Sequence, residues 1–341
     1  MFAQLATSIH PLIIDPKDSE GTGLLNPSIL VDGDRILVNL RRVQYTLYHS
    51  EKKNVPHPWG PLCYLHPEND VRLKTTNYLC EIDPKTLEVS KYDRVDTSKL
   101  DVTPIWEFVG LEDARLFKTD DKIYLCGVRR DTTPNGEGRM ELSELQIDGL
   151  GVREVSRTRI PAPPPNTSYC EKNWMPIKGM PYHFMKWTNS SEIVRFDTES
   201  KNTEVVHLDS LRTDLKDMRG GSQVIPWKDG WIALVHDVDL YYNDINQKDA
   251  TYRHHFVVWD KNWKLVQVSE AFSFLTGEIE FCAGMDYLGD DLLITFGFQD
   301  NAAYLLRVPV TTVDQFIQDN TLKTNPTFLP TDHLIMKMNY A

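Results

Sequence analysis

The chain has 341 residues, 37 of them basic and 49 acidic, giving a formal charge of −12 and a pI near 5.3. That balance makes sustained contact with nucleic-acid phosphates or an anionic membrane a poor expectation, since both need a basic surface. With 41% hydrophobic and 25% charged residues the composition is that of a globular protein with ample core, and at roughly 150 residues per domain the length alone suggests two domains.

In chain order, Met1 to Asp15 has no basic segment ahead of its apolar residues and no small-residue cleavage site, so no signal peptide is expected. No stretch approaches the roughly 20 apolar residues needed to span a bilayer. Cys63, Cys80, Cys126, Cys170 and Cys282 are odd in number and widely spaced, without a Cys-x-x-Cys pair. They read as buried apolar thiols in a reducing cytosol, and a cytoplasmic location is the expectation. Asn-x-Ser/Thr matches at Asn166 and Asn189 carry little weight without a secretion signal.

Sustained apolar recurrence at helical spacing is scarce, and short apolar runs separated by Asp, Gly, Asn and Pro dominate. One unit recurs: a polar or Gly motif, an apolar run, a tight turn, a second apolar run and another polar residue. It first runs from Asn26 through a turn at Asp32-Gly33-Asp34 to Arg41-Arg42. The second runs from Gly110-Leu-Glu112-Asp113-Ala-Arg115 through Asp120-Asp121 to Arg129-Arg130. The third leads from Glu171-Lys172-Asn173-Trp174 through Lys178-Gly179 to Lys186. The fourth begins at Arg219-Gly-Gly-Ser222, turns at Lys228-Asp229-Gly230 and ends at His236. The fifth goes from Ala283-Gly284 through Gly289-Asp290 to Asp300.

Counted from Asn26, Asp113, Lys172, Ser222 and Gly284 the gaps are 87, 59, 50 and 62 residues, the sizes of four-stranded blades with variable loops. Two six-residue strands joined by a tight turn return the chain to the same end of a hairpin. Five hairpins arranged radially would gather all their ends around one mouth of a central channel. Asp-Gly turns between apolar runs also suit a sandwich, but recurrence of polar residues at both hairpin ends favours the five-fold arrangement. The expected fold is therefore all-β, a five-bladed β-propeller forming one domain over 1–341, with blades starting near 24, 108, 170, 218 and 277. Thr311 to Asp319 is expected to form a short helix with Val313, Phe316 and Ile317 on one face, followed by a closing tail from Lys323. Tyr48 to Asn77 is expected to be a long loop at the channel mouth or its edge.

The hairpin ends collect Asn26, Arg41, Arg42, Glu112, Asp113, Arg115, Arg129, Arg130, Lys172, Asn173, Lys186, Arg219, His236 and Asp300. Several cations converging in an acidic protein suggest an anion site for phosphate or a sugar phosphate, through Arg forks, Lys and His. Carboxylates beside them suit hydrogen bonds to sugar hydroxyls, and one could act as general acid to a glycosidic oxygen. Each residue taken singly reads equally as a solvated charge at a strand end; the ensemble points to a site. His254 and His255 are adjacent in an apparent strand and point to opposite faces, so they cannot share a metal, and no metal or organic cofactor is expected. Walker, dinucleotide-binding, His-Glu-x-x-His and Gly-x-Ser-x-Gly motifs are absent.

Gly110-Leu-Glu-Asp-Ala-Arg115 resembles the Gly-x-Glu-Asp-Pro-Arg signature of glycoside hydrolase family 130, the mannoside phosphorylases, which are five-bladed β-propellers. Asn26-Pro27 with Arg41, Gly230-Trp-Ile-Ala-Leu-Val-His236 and Phe296-Gly-Phe-Gln-Asp300 are similar to family segments in the same order, over roughly residues 24 to 310. Glu171-Lys-Asn-Trp, Arg219-Gly-Gly-Ser and Ile279-Glu-Phe-Cys-Ala-Gly284 look closer to related propellers, among them glycosyltransferase family 108.

The resemblance implies that Asp113 is a catalytic acid acting on the glycosidic oxygen through a sugar hydroxyl, while phosphate attacks the anomeric carbon with inversion. It implies phosphate or donor contacts for Arg41, Lys172 and His236, a donor-sugar contact for Asp300 and a bracing role for Arg115. Asn26, Glu112, Tyr45, Arg130, Asn173 and Arg219 are further expected sugar-site neighbours. Two departures stand out: Ala114 replaces the usual Pro, and the family's His-Lys-Asp stretch is here Glu171-Lys-Asn173. The expected activity is a β-mannoside phosphorylase with an oligosaccharide or sugar-phosphate substrate, inorganic phosphate being substrate and not cofactor. The alternatives are a glycosyltransferase using a nucleotide sugar or sugar phosphate, and a non-catalytic glycan-binding propeller. A homo-oligomer is compatible with any of them.

Overall fold

In the blade-one hairpin, Ile29 and Leu30 are adjacent and both buried, as are Ile36, Leu37 and Val38. Successive strand residues face opposite sides, so such runs need cover on both faces. The computed structural model, which describes residues 1–20, 22–44, 46–47, 64–65, 72–215, 218–242, 244 and 248–329, supplies it with a five-bladed β-propeller.

Each blade is an antiparallel meander. Blade one contains Leu24–Asp32, Arg35–Val43, Leu73–Ile82 and Val89–Arg94. Blade two contains Glu112–Thr119, Lys122–Arg129, Arg139–Asp148 and Gly151–Arg159. Blade three is built from Met175–Pro176, His183–Trp187, Glu192–Phe196 and Thr203–His207. In blade four, Arg219–Gly220 and Ile225–Trp227 both pair with Gly230–Tyr242, followed by Lys248–Trp259 and Leu265–Val268. Blade five uses Glu280–Leu288, Asp291–Phe298 and Ala302–Pro309, and its outer strand is Ser8–Pro11 from the N-terminal end of the chain. That borrowed strand locks the last blade to the first, and the sequence reading did not anticipate it.

Five apolar clusters fill the five gaps between neighbouring blades. Ile29, Ile36, Val38 and Leu40 pack against Leu293 and Leu305 of blade five, while Leu30 and Leu37 pack against Leu116 and Leu125 of blade two. Alternate residues of one strand thus serve two cores. Tyr124, Cys126 and Val128 meet Trp174 and Phe184 between blades two and three; Met175 and Met185 meet Ala233 and Val235 between three and four; Leu234 and Phe256 meet Met285 and Phe296 between four and five. The helix Val310–Asp319 lays Val313 and Ile317 onto this last cluster, with Phe316 at its edge.

The hairpin turns follow local chemistry. Asp120 and Asp121 both take positive φ, 49° and 58°, as a two-residue turn between right-twisted strands requires. The expected loop from Tyr48 to Asn77 needs correction at its end, because Leu73–Ile82 is the third strand of blade one and buries Leu73, Tyr78, Leu79 and Cys80. Most of the remainder, 48–63 and 66–71, lies outside the described residues, as does much of the tail. Within that tail Phe328–Leu329 pairs with Leu211–Arg212. Cys80, Cys126 and Cys282 are buried, and burial pushes the Cys126 and Cys282 thiols up to about 12; Cys63 lies outside the described residues.

Candidate active site at the channel mouth

The inner strands do not enter the channel mouth regularly. Register slips between Leu25 and Ser28 in blade one, between Cys126 and Val128 opposite Glu112 to Arg115 in blade two, and between Cys282 and Gly284 in blade five. Asn26, Asp113 and Asn173 each take a left-handed backbone, with φ of 45°, 48° and 61°. Such bulges re-aim side chains, and left-handed non-glycine residues carry strain that the surrounding fold must hold. Blade four meets the same crowding with glycine: a Cβ on Gly220 would lie 1.9 Å from the Asn173 carbonyl oxygen, and one on Gly221 would lie 2.3 Å from that of Leu234.

These bends bring Asn26, Arg41, Glu112 and Asp113 together. Arg41 Nη1 donates to Asp113 Oδ1 at 2.6 Å, and Asn26 Nδ2 donates to the same oxygen at 2.7 Å. Arg41 Nη2 reaches Glu112 Oε2 at 3.3 Å, and Nε reaches Thr75 Oγ1 at 3.2 Å. Burial alone would raise the Asp113 carboxyl, but Arg41, the Asn26 hydrogen bond and Arg115 outweigh it and hold it below the usual carboxylate value. Arg115 is fully buried. It donates to the main-chain oxygens of Asp113 (2.7 Å), Gly220 (3.0 Å) and Gly221 (2.9 Å) and to Asn173 Oδ1 (3.2 Å), and its guanidinium lies 5.3 Å from the Phe281 ring centroid. It therefore pins the backbone of Asp113 to blades three and four.

On the other side of the mouth, Arg130, Lys172 and Arg219 line a cavity of about 240 Å³ with Tyr169, Glu171, Asn173 and Trp187. Arg130 sits between the rings of Phe108 and Tyr169, 5.0 and 5.7 Å from their centroids, and donates to Gly136 O at 2.8 Å. Lys172 is exposed, and its charge reaches Glu112 and His236. His236 is buried, stacked on Tyr252 at 5.4 Å and edge-on to Phe281 at 4.8 Å. Burial, with the nearby His254, Arg219, Arg115 and Lys172, lowers its pKa well below the usual histidine value. Burial thus disfavours a charged His236, unlike the Arg and Lys side chains with which the sequence groups it. Among the described residues the buried His236 Nδ1 has no hydrogen-bond partner.

Tyr252 was not singled out from the sequence. Burial raises its phenol to about 12, with the charges of Asp300, Arg219 and Asp113 also acting on it, so these groups lie in its neighbourhood. Asp300 is half-buried with φ of 49°. The only available signal was positional: Tyr252 is two residues before His254, which pairs directly with His236, so Tyr252 shares their face of the strand.

Two rim residues expected at the mouth, Arg42 and Arg129, turn elsewhere, whereas Lys186 lines the cavity beside Lys172 and is held there by two carboxylates. Arg42 binds the Ser19 carbonyl oxygen, Thr22 and Glu20, fastening the N-terminal segment. Arg129 pairs with Glu141 at 2.9 Å and Asp131 at 3.3 Å, and Lys186 with Glu171 at 3.2 Å and Glu192 at 3.5 Å. Alternation along the strands explains this: of two adjacent basic residues only one can face the channel. Tyr45 lies outside the described residues. His254 and His255 do point apart: the His254 Nε2 accepts from the Cys282 N–H at 3.1 Å, whereas His255 Nδ1 meets the Ser269 carbonyl oxygen at 2.8 Å. Among the described residues no group of three or more His, Cys, Asp or Glu side chains is arranged to hold a metal ion, and no helix is long and apolar enough to cross a membrane.

No family model matches the sequence, and no curated protein does. Solved structures do match in three dimensions. A β-1,2-mannobiose phosphorylase from Listeria innocua superposes with a TM-score of 0.53 at 13% identity, covering 92% of this chain and 94% of that one. A glycosyl hydrolase from Bacteroides ovatus gives 0.54 at 11% identity over 89% and 87% of the two chains. A mannose phosphorylase from Leishmania mexicana, solved with a phosphate ion, gives 0.50 at 10% identity over 96% and 94%. At such identity the likeness establishes the fold.

Proposed function

We propose that this propeller is an inverting glycoside phosphorylase acting on a β-linked, mannose-like sugar. The observation that carries the reading is the division of the mouth into two adjoining halves. One half presents Asp113 beside Glu112, with Asp113 fixed by Asn26 and Arg41 of blade one and by Arg115 of its own strand. The other presents Arg130, Lys172 and Arg219 around a cavity, with His236 beside them. A hydrolase delivering water has no use for the second half, whereas a phosphate nucleophile needs cationic donors to bind and orient it. The cited phosphorylases share the fold, which makes the reading consistent with known chemistry on it.

In this reading Asp113, whose carboxyl rests ionised, takes up a proton as substrate binds and passes it through a sugar hydroxyl to the leaving glycosidic oxygen, while phosphate held by Lys172 and its neighbours attacks the anomeric carbon from the opposite side. Arg41 is committed to the two carboxyls and serves the acid; the phosphate contacts pass to Arg130, Lys172 and Arg219. His236, its charged form disfavoured by burial, can donate or accept a hydrogen bond without adding charge. Asp300 and Tyr252 flank the space left for the donor sugar.

The test is to incubate the protein with mannose 1-phosphate and a panel of mannosyl acceptors, and separately with GDP-mannose, and to measure phosphate and nucleoside diphosphate release. Phosphate release with mannose 1-phosphate alone supports the proposal. Release of nucleoside diphosphate alone would replace it with a nucleotide-sugar transferase. Glycan binding with neither product would leave a binding propeller.

A further inference from the structure

The arginines near Arg130 in blade two are matched by carboxylates: Arg129 by Glu141 and Asp131, Arg139 by Glu137, and Arg157 by Glu154 and Asp101. Arg130 is held differently. Its Nε donates to the Gly136 carbonyl oxygen at 2.8 Å and its Nη2 to the Tyr169 hydroxyl at 3.3 Å, while Cζ lies 5.0 Å from the Phe108 ring centroid and 5.7 Å from that of Tyr169. None of these partners carries a charge. The charge of Arg130 reaches Glu112 and Cys170, yet among the described residues it forms no ion pair and its Nη1 has no hydrogen-bond partner.

The partners are themselves fixed. Tyr169 donates its hydroxyl hydrogen to the Asn135 carbonyl oxygen at 2.6 Å, and Gly136 takes a φ of 67° at a point where a Cβ would strike the Trp106 indole. Phe108 precedes the first strand of blade two and Tyr169 follows its last, so separate stretches of chain converge on one guanidinium. A guanidinium held only by neutral groups keeps its charge for a ligand, and fixing it in advance removes side-chain entropy otherwise lost on binding. It lines the cavity shared with Lys172 and Arg219, where the carboxylate of Glu171 is taken by Lys186. The ligand such a wall suits is a phosphate group, whose neighbouring oxygens match the guanidinium fork.

We propose that Tyr169 and Phe108 are positioning residues that fix the Arg130 fork for a phosphate group, carried by inorganic phosphate or by a sugar phosphate. The identity of the anion rests on the phosphorylase reading; the positioning rests on the contacts of Arg130.

The test is calorimetric titration of the wild type, Tyr169→Phe, Tyr169→Ala, Arg130→Lys and the Tyr169→Ala/Arg130→Lys double variant with inorganic phosphate and, separately, with mannose 1-phosphate. Tyr169→Phe keeps the ring and should retain most of the affinity. Tyr169→Ala frees the guanidinium and should weaken binding about tenfold, the equivalent of one charge-assisted hydrogen bond. Arg130→Lys keeps the charge without the fork and should lose about as much. Once Arg130 is Lys, Tyr169→Ala should cost nothing further, because Tyr169 acts through Arg130; a Tyr169 that touched the anion or merely supported the fold would add its own loss. Additive losses, or wild-type affinity in Tyr169→Ala or in Arg130→Lys, overturn the proposal. Should Tyr169→Ala not fold, Phe108→Leu removes the other ring, with the same loss expected and the same overturning result. Preference for one of the two anions identifies the source of the phosphate group, and binding of neither by the wild type overturns the proposal. Binding that follows the expected pattern without phosphorolysis would remove the phosphorylase reading and leave the positioning intact, whereas phosphorolysis with unaltered variants would remove the positioning alone.

Discussion

The two ends of the channel are both lined by charged residues, but they treat those charges differently. At the hairpin-turn end, around a cavity of about 380 Å³, buried Asp286 accepts from the Val31 amide at 2.8 Å, the Tyr287 amide at 2.9 Å and Lys178 Nζ at 2.5 Å. Lys118 there holds both oxygens of Asp32 at 3.0 Å. At the other mouth Asn26 Oδ1, Glu112 Oε1 and His236 Nδ1 are buried without hydrogen-bond partners among the described residues. Buried polar atoms are usually satisfied in folded proteins, so unsatisfied ones lining a mouth are available to a ligand in a way the paired groups at the other end are not. The cavity of about 380 Å³ belongs to the satisfied end, and the proposed chemistry to the other.

This contrast can be broken by substitution. The largest effect should come from Asp113→Asn, which removes the proposed acid and should lower phosphate-dependent turnover by about 10³-fold. A solvated carboxylate at a strand end could be replaced without cost to folding, but Asp113 is not such a group. Its two short hydrogen bonds instead predict a concurrent stability loss of about 1–3 kcal/mol, read by denaturant unfolding. Retained turnover would end its role as acid. Arg41→Met leaves two carboxyls without their shared cation and should cost about 3 kcal/mol. An unchanged unfolding midpoint would mean that Arg41 is not what holds them.

At the opposite end Asp286→Asn should destabilise by about 1–3 kcal/mol with turnover at the native temperature retained, because it touches only the structural mouth. Activity loss without stability loss there would erase the distinction between the two ends. Lys172→Met should raise the KM for phosphate about tenfold, the loss of one charge-assisted contact, and leave unfolding unchanged because the side chain is exposed. The smallest effect is acid linkage at Asp113. Its folded value is lowered, so its contribution is present above the unfolded value and is lost as pH falls through the folded one. The wild type should therefore lose its stability margin over Asp113→Asn in that acid range, and a pH-independent margin would show that Asp113 is not held ionised.

Much of the architecture was legible because it depends on local periodicity. The tight turns at Asp32-Gly33 and Asp120-Asp121 and the paired apolar runs around them needed only backbone preferences and alternation to be recognised. The outer strand of blade five was not legible, because Ser8–Pro11 pairs with residues about 300 positions away and carries no marker of its partner. The site was partly legible for a related reason. Asn26, Arg41 and Asp113 sit at hairpin ends that the repeat superposes, whereas Tyr252 comes from the third strand of a blade and reaches the mouth only by stacking on His236.

The sequence by itself determined that the chain forms β hairpins with polar ends, that five of them share a pattern, and that one end of each is rich in charge. Those properties follow from side-chain period and turn chemistry within about 20 residues. Only the tertiary structure decided which charges face one another: that Arg41 turns to Asp113 while the adjacent Arg42 ties down Glu20, that burial disfavours a charged His236, and that Glu112 and Asp113 share one guanidinium. Electrostatics depends on distance and burial in space, and neither is a property of spacing along the chain.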